Sequence, residues 1–334
     1  MRPQTRKRTA AVGIVLIGLN LAVLVMSVML GERSVPPLEV LRSLTGFGDP
    51  EYRFTIFELR LPRVLTGFLA GCGLALAGAV LQVVTRNPLA SPGVIGLNAG
   101  AAAAVVTALV LVPSVPLRAM PWVAFGGALL AVGLVYGLSV RGRGGDPTTR
   151  ILLIGVGISA IAGALITYLL TAGQIFRVSQ ASIWMAGSLY GRTWEHFWPL
   201  LPWLLLLFAL LLSKSVALDA FLLDTESTAG LGVRLEPMRI AFLLISTGLA
   251  GSAVSMVGTI GFVGLMAPHM ARSLVGVRSF VRLPAAALLG GLIVMSADLI
   301  GRQLFAPHEI PAGLITALVG APYMLYLLVG RRSL

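Results

Sequence analysis

The sequence predicts an all-α membrane protein, a single domain over residues 1–334 that crosses the bilayer ten times. Of its residues, 57% are hydrophobic and only 11% are charged, and its mean hydropathy is +0.92. Soluble domains carry about 25% charged residues, so this composition excludes a water-soluble fold. A helix needs about 20 apolar residues to span the hydrocarbon core, so this chain holds about ten spans and no separate globular domain.

Nine uncharged stretches are the candidate spans, because a charged side chain is costly at the centre of a bilayer. The first follows a basic N-terminus, but it is too long for a signal peptide and lacks a small-residue cleavage site, so we interpret it as a retained span. The second is rich in Gly and Ala at small-xxx-small spacing, which predicts a place in the middle of the bundle. The stretches cover residues 10–30, 64–85, 93–117, 119–140, 151–176, 197–213, 240–268, 283–297 and 310–330.

The seventh stretch is long, and its centre is rich in glycine from Gly258 to Gly264. These glycines predict a break into two helices that their neighbours bury. Lys and Arg favour cytoplasmic loops. A single crossing in this stretch would put the later basic residues and the basic C-terminus outside, whereas a break into two crossings keeps them inside. With a basic N-terminus inside, ten crossings place 16 of the 25 Lys and Arg residues on the cytoplasmic side. Both termini are therefore predicted to be cytoplasmic.

The cytoplasmic segment 214–239 departs from the basic pattern, since its four carboxylates exceed its three basic residues. Within it the sequence predicts a short helix with Asp224 or Thr225 as its N-cap and Gly230 or Gly232 as its C-terminal stop. Such a helix on the inner surface is either a docking element for another protein or an interfacial helix that touches lipid head groups. The spacing of its residues leaves both interpretations open.

Known catalytic motifs are absent from the sequence, which contains no Walker A pattern, no HExxH, no CxxC pair and no nucleophile elbow. The net charge of +12 does not indicate a nucleic-acid partner, because the basic residues lie between apolar runs. Asp298 lies four residues before Arg302 near the outer end of a span, where an i,i+4 ion pair accounts for it. An ion-coupled carrier usually needs more intramembrane carboxylates than this sequence offers, but that class stays open as an alternative.

An ordered series of motifs carries a specific resemblance to a known family. The blocks read RLPR from Arg60, GAVLQ from Gly78, RNPLASPGVIG from Arg86, WMAGS from Trp184, GFVGLMAPHMAR from Gly261, AD from Ala297, EIPAG from Glu309 and GAP from Gly320. The series resembles the permease subunits of ABC importers for iron-siderophores and vitamin B12, and the ferric dicitrate members in particular. The resemblance extends from about residue 10 to the C-terminus.

The resemblance implies a non-enzymatic subunit in a bacterial inner membrane, with an inverted repeat that relates spans 2–5 to spans 7–10. It implies import of a ferric chelate by alternating access, with vitamin B12 or haem as alternative substrates. The implied partners are a second permease subunit, with a heterodimer favoured, two ATP-binding subunits and a periplasmic or lipid-anchored binding protein. ATP and Mg²⁺ would be bound by the ATP-binding subunits, and this chain would hold no cofactor, no metal and no catalytic residue.

Three sets of site residues follow from the resemblance. Arg60, Arg63 and Arg302 match arginines that pair with glutamates of the binding protein, although interfacial arginines can also simply reach lipid phosphates. Residues of segment 214–239 match the element that couples to the ATPase, and residues beside spans 2 and 5 match a cytoplasmic gate, although Asn87 and Thr149 could be ordinary helix caps. The coupling residues are Leu218, Leu222, Leu223, Asp224, Glu226, Leu231 and Gly232, and the gate residues are Asn87, Leu89, Thr148 and Thr149.

Overall fold

A computed structural model describes residues 3–31, 33–112, 114–141, 147–222, 235–304 and 306–330, which form helices and the turns that join them. In chain order the helices are α1 (Pro3–Met29), α2 (Pro37–Leu44), α3 (Pro50–Phe54), α4 (Leu61–Val84), α5 (Leu97–Leu111), α6 (Met120–Arg141), α7 (Pro147–Ala172), α8 (Ile175–Met185), α9 (Trp194–Ser213), α10 (Ser215–Ala220), α11 (Leu235–Val257), α12 (Val263–Val275), α13 (Ser279–Gln303) and α14 (Ala312–Gly330). A π-helical turn over Thr55–Arg60 joins α3 to α4, and a 3₁₀ turn over Leu117–Ala119 precedes α6. The predicted all-α class is confirmed.

The described residues are compatible with ten crossings. Seven helices are long and apolar enough to span a bilayer, namely α1, α4, α6, α7, α9, α11 and α13, and α5 and α14 are shorter apolar helices. A tenth crossing would have to be α12, which has 13 residues. The predicted break in stretch 240–268 is confirmed, because α11 ends at Val257 and α12 begins at Val263. Gly258 and Phe262, on either side of the break, adopt left-handed backbone conformations that a continuous helix does not contain.

Helix α4 lies at the centre of the bundle, as its small residues predicted. Nineteen of its 24 residues are buried, and it packs most extensively against α13, α11 and α12. A methyl group added at Gly71 would overlap the carbonyl of Gly290 in α13, and one added at Gly78 would overlap the carbonyl of Gly264 in α12. The glycines therefore let the helix backbones touch, which is how helices associate without a hydrophobic driving force between them.

Replacing Gly78 with Ala is expected to destabilise the purified permease by about 1–3 kcal/mol, because the added methyl forces α4 and α12 apart. The unfolding midpoint in detergent should fall by several degrees. Gly126→Ala in α6 is the matched control, since no atom lies within 4 Å of the position its added carbon would occupy. Equal midpoints for the two variants would contradict the close α4–α12 contact.

Helices α5 and α12 share a local feature that bears on the predicted inverted repeat. Each is a short helix that begins directly after a left-handed residue, Gly96 with φ 83° and Phe262 with φ 65°. Each also follows a long buried helix, α4 in the first half of the chain and α11 in the second. The relation between spans 2–5 and 7–10 as a whole stays a prediction.

Candidate docking, gate and coupling sites

The ends of α4 and α13 meet in a buried ion-pair cluster on the side predicted to face outward. Arg63 Nη2 lies 2.7 Å from Asp298 Oδ1, and it also lies 2.9 Å from Glu309 Oε2. Arg63 Nη1 donates a second hydrogen bond to Glu309 at 3.1 Å, so this pair is bidentate. The predicted i,i+4 pair is confirmed, with Arg302 Nε 3.3 Å from Asp298 Oδ2. Asp298 therefore joins two arginines from two helices.

Arg60 and Arg302 bind the C-terminal end of α1, whose last carbonyl groups have no partner within the helix. Arg60 Nη1 donates to the carbonyl of Val28 at 2.7 Å and to that of Met29 at 2.9 Å. Arg302 Nη2 donates to the carbonyl of Ser27 at 3.2 Å. Both arginines are buried, with exposed fractions of 8% and 7%. They hold the end of α1 against α4 and α13.

The structure brings the three predicted docking arginines together, but it shows each of them already engaged within the chain. The i,i+4 spacing predicted only Arg302 as a partner of Asp298, and no role was predicted for Glu309, although Glu309 lies in one of the recognised motifs. The Glu309 side chain is 30% exposed, against 11% for Arg63 and 4% for Asp298. Glu309 is therefore the more accessible carboxylate of the cluster. Contact with a binding protein stays a prediction.

A fourth arginine adds positive charge beside this cluster. Burial, with a further contribution from nearby Arg63, lowers the pKa of Arg192 to about 10, so that its guanidinium remains charged at neutral pH. Arg192 Nη1 lies 3.1 Å from Nε2 of His196. The charges of Arg60, Arg63, Arg192 and Arg302 exceed those of the two carboxylates, which leaves the group net positive.

The first predicted gate segment forms a turn after α4. Asn87 Oδ1 accepts a hydrogen bond from the backbone N–H of Leu89 at 2.9 Å, so Asn87 stabilises the turn and is not the C-cap of α4, which is Thr85. Leu89 is exposed. Arg86, just before the turn, has a φ of 51°.

The second gate segment lies at the start of α7. Thr149 is exposed, and the side chain of Thr148 lies outside the described residues. The two segments approach each other, because Ala90 and Ile95 of the first share a buried apolar cluster with Ile151 of the second. Whether they gate a pathway stays a prediction.

Segment 214–239, which we call the coupling segment, is anchored to the bundle in the part up to Leu222 that the structure describes. Leu218 is fully buried, and the ring of Phe221 packs edge-to-face on Phe242 of α11 at 5.8 Å. Leu222, which follows, is 42% exposed. The other predicted coupling residues, Leu223, Asp224, Glu226, Leu231 and Gly232, lie outside the described residues, as does the short helix predicted there.

The break after α11 and the turn before α5 line one cavity of about 410 Å³. This cavity was not predicted from the sequence. Its polar side chains are Ser91 and Asn98, at and after the turn, and Ser159 of α7, and Gly261 and Phe262 of the break also line it. Unwound backbone inside a bundle is tolerated where it is buried or lines a cavity, and in many transporters it marks the substrate region.

A helical bundle with an interrupted membrane helix and a cavity at the interruption is typical of polytopic membrane transport proteins. The chain belongs to the FecCD transport family, whose family model matches residues 19–330. It is 44% identical to a siderophore transport system permease protein of Bacillus subtilis, YfhA, over 98% of this chain and 96% of that protein. It is 40% identical to the Fe(3+)-citrate import system permease protein YfmE of the same organism, over 98% of both chains.

A solved structure also matches the chain, one described as an inward-facing conformation of a transporter assigned to the metal-chelate type of ABC transporters. The TM-score is 0.86 at 30% identity, and the match covers 96% of this chain and 99% of the other. Membership of this family makes the chain a permease subunit, as the resemblance predicted, and not a catalytic subunit.

Proposed function

We propose that this permease subunit carries a ferric chelate, either a siderophore complex or ferric citrate, across a bacterial inner membrane from the periplasm to the cytoplasm. The observation that carries the proposal is near-full-length similarity to a siderophore permease and to a ferric citrate permease. Transport proceeds by alternating access, and the cavity between the two interrupted segments lies on the route.

Three kinds of partner complete the importer in this proposal. A second permease subunit, favoured to be a different chain, forms the other half of the pathway. Two ATP-binding subunits hold ATP and Mg²⁺ and act on segment 214–239. A binding protein that is periplasmic or lipid-anchored brings the chelate and docks at the ion-pair cluster of Arg63, Asp298, Arg302 and Glu309, which we call the outer cluster. This assignment is supported by the buried attachment of Leu218 and by the net positive charge around Arg63.

Uptake by the reconstituted complex tests this function. The chain is co-purified with its second permease and ATP-binding subunits, placed in proteoliposomes, and supplied with binding protein loaded with radioactive ferric citrate or a ferric siderophore. We expect uptake that requires ATP and Mg²⁺ on the side of the ATP-binding subunits. Uptake of a corrinoid or haem in place of ferric chelates would overturn the substrate, and uptake driven by an ion gradient without ATP would overturn the class.

Glu309→Gln is expected to tighten docking of the binding protein a few-fold, because it removes an internal competitor for Arg63 and raises the positive charge of the outer cluster. The gain should shrink as salt rises. Titration of labelled binding protein onto the nanodisc complex at low and high salt measures it. Glu51→Gln is the control for losing a carboxylate near the cluster, since Glu51 pairs with the exposed Arg33 and not with Arg63. Weaker or salt-independent docking of the Glu309 variant would argue against this docking site.

A further inference from the structure

The start of α13 lacks a cap from its own sequence and receives one from the coupling segment. Arg278, the N-cap residue, makes no side-chain capping hydrogen bond. Instead Asp219 Oδ1 accepts the backbone N–H of Ser279 at 2.9 Å, from 60 residues earlier in the chain. A carboxylate at a helix N-terminus is favoured both by the free N–H groups and by the helix dipole. The contact therefore attaches α10 to α13.

The charge of Asp219 also has a buried partner. Arg282, one turn into α13, is only 4% exposed, and Asp219 is an opposite charge that acts on its guanidinium, while Arg272 of α12 is a like charge. A buried guanidinium is costly without a nearby anion. Asp219, which bonds the backbone one turn before Arg282, is therefore a nearby anion for Arg282 as well as the cap of the helix.

A second contact attaches the same segment to α4. Arg86, just after the end of α4, donates from Nε to the carbonyl of Phe221 at 2.8 Å. Arg63 lies at the other end of α4. Each end of α13 makes a polar contact with another part of the chain. Ser279 at its start is bonded by Asp219 of the coupling segment, and Asp298 near its end pairs with Arg63. The continuous 25-residue helix α13 therefore connects the coupling segment to the outer cluster.

We propose that Asp219 is a positioning residue that ties the coupling segment to α13, so that movement of this segment under ATP hydrolysis is transmitted along α13 to the outer cluster. The inference rests on the proposed function, since it takes segment 214–239 as the contact for the ATP-binding subunits. Asp219 does not touch ATP or substrate in this scheme. Its removal lowers the number of chelates moved per ATP hydrolysed.

The test compares Asp219→Ala, Asp219→Asn and Asp219→Glu in the reconstituted complex. Transport per ATP hydrolysed should fall about tenfold for Asp219→Ala, within the range of typical coupling free energies. Asp219→Asn, which keeps an acceptor for Ser279 but loses the charge, should be intermediate, and Asp219→Glu should recover part of the loss. Association of the ATP-binding subunits and basal ATP hydrolysis are measured on the same preparations, so that transport is expressed per ATP hydrolysed by an assembled complex. Glu51→Gln serves as the acid-to-amide control.

A cysteine pair keeps the idea testable if loss of Asp219 lowers the yield of folded protein. In Asp219→Cys/Ser279→Cys, coupling should be low when the thiols are reduced and rise when a disulfide joins the two elements, measured on one preparation. Native Cys72 is buried and should not interfere. Wild-type transport per ATP in Asp219→Ala, or a formed disulfide without recovery, would overturn the proposal. Failure of the wild-type complex to use ATP would instead overturn the proposed function.

Discussion

Replacing Asp298 with Asn is expected to destabilise the permease by about 3–5 kcal/mol, the cost of leaving buried charges unpaired. Asp298 is 3% exposed and is the carboxylate shared by Arg63 and Arg302. Its loss removes the ion pair of Arg302, itself 7% exposed, and leaves the partly exposed Glu309 as the carboxylate nearest to Arg63 and Arg302. The amide is nearly the same size as the carboxylate, so the effect comes from charge and not from packing. Thermal unfolding of the purified complex in nanodiscs measures it.

Two carboxylate-to-amide variants serve as graded controls for the Asp298 prediction. Glu309→Gln should be milder, since the Glu309 side chain is 30% exposed and water can replace part of its contact. Glu51→Gln should be almost neutral, because exposed ion pairs contribute about 0–1 kcal/mol. An unfolding midpoint for Asp298→Asn no lower than that of Glu51→Gln would show that the outer cluster does not stabilise the fold.

Replacing Leu222 with Asp is expected to lower ATP-driven uptake about tenfold or more, because under the proposed function it puts a charge into the contact with the ATP-binding subunits. Leu222 is 42% exposed and immediately follows the buried Phe221, so the change should spare the fold. The same substitution at the fully buried Leu218 should prevent folding instead. Uptake, basal ATP hydrolysis and co-purification of the ATP-binding subunits separate the two outcomes.

Leu117→Asp is the matched control for this second prediction, since Leu117 is an exposed leucine in the turn before α6. It should leave uptake and ATP hydrolysis close to wild type. Normal uptake with normal ATPase association in Leu222→Asp would refute the role of the described coupling segment.

Most of the fold could be predicted because membrane spans leave a local signal. Long uncharged runs predicted the helices, and the glycines between Gly258 and Gly264 predicted the interruption that separates α11 from α12. Prediction of span limits was less accurate where charges are buried. The stretch 283–297 is the centre of a longer helix, because Arg282, Asp298 and Arg302 are buried inside α13 and have opposite charges close by.

The candidate sites could be predicted only in part. The i,i+4 spacing of Asp298 and Arg302 predicted their ion pair, since neighbours on one helix face meet whatever the tertiary fold. The pair between Arg63 and Asp298 joins residues 235 positions apart, and no periodicity reports such a contact. The attachment of Asp219 to Ser279 is of the same kind.

The amino-acid sequence by itself determined the class of this protein, its helical spans and its family, and its basic residues favour an even number of crossings. These depend on local composition and on motifs in order, which are properties of the chain before it folds. The tertiary structure alone decided how the arginines are used, with Arg60 and Arg302 on the end of α1 and Arg63 between two carboxylates. A buried charge takes whichever partner packing brings near it, and only the folded bundle specifies that partner.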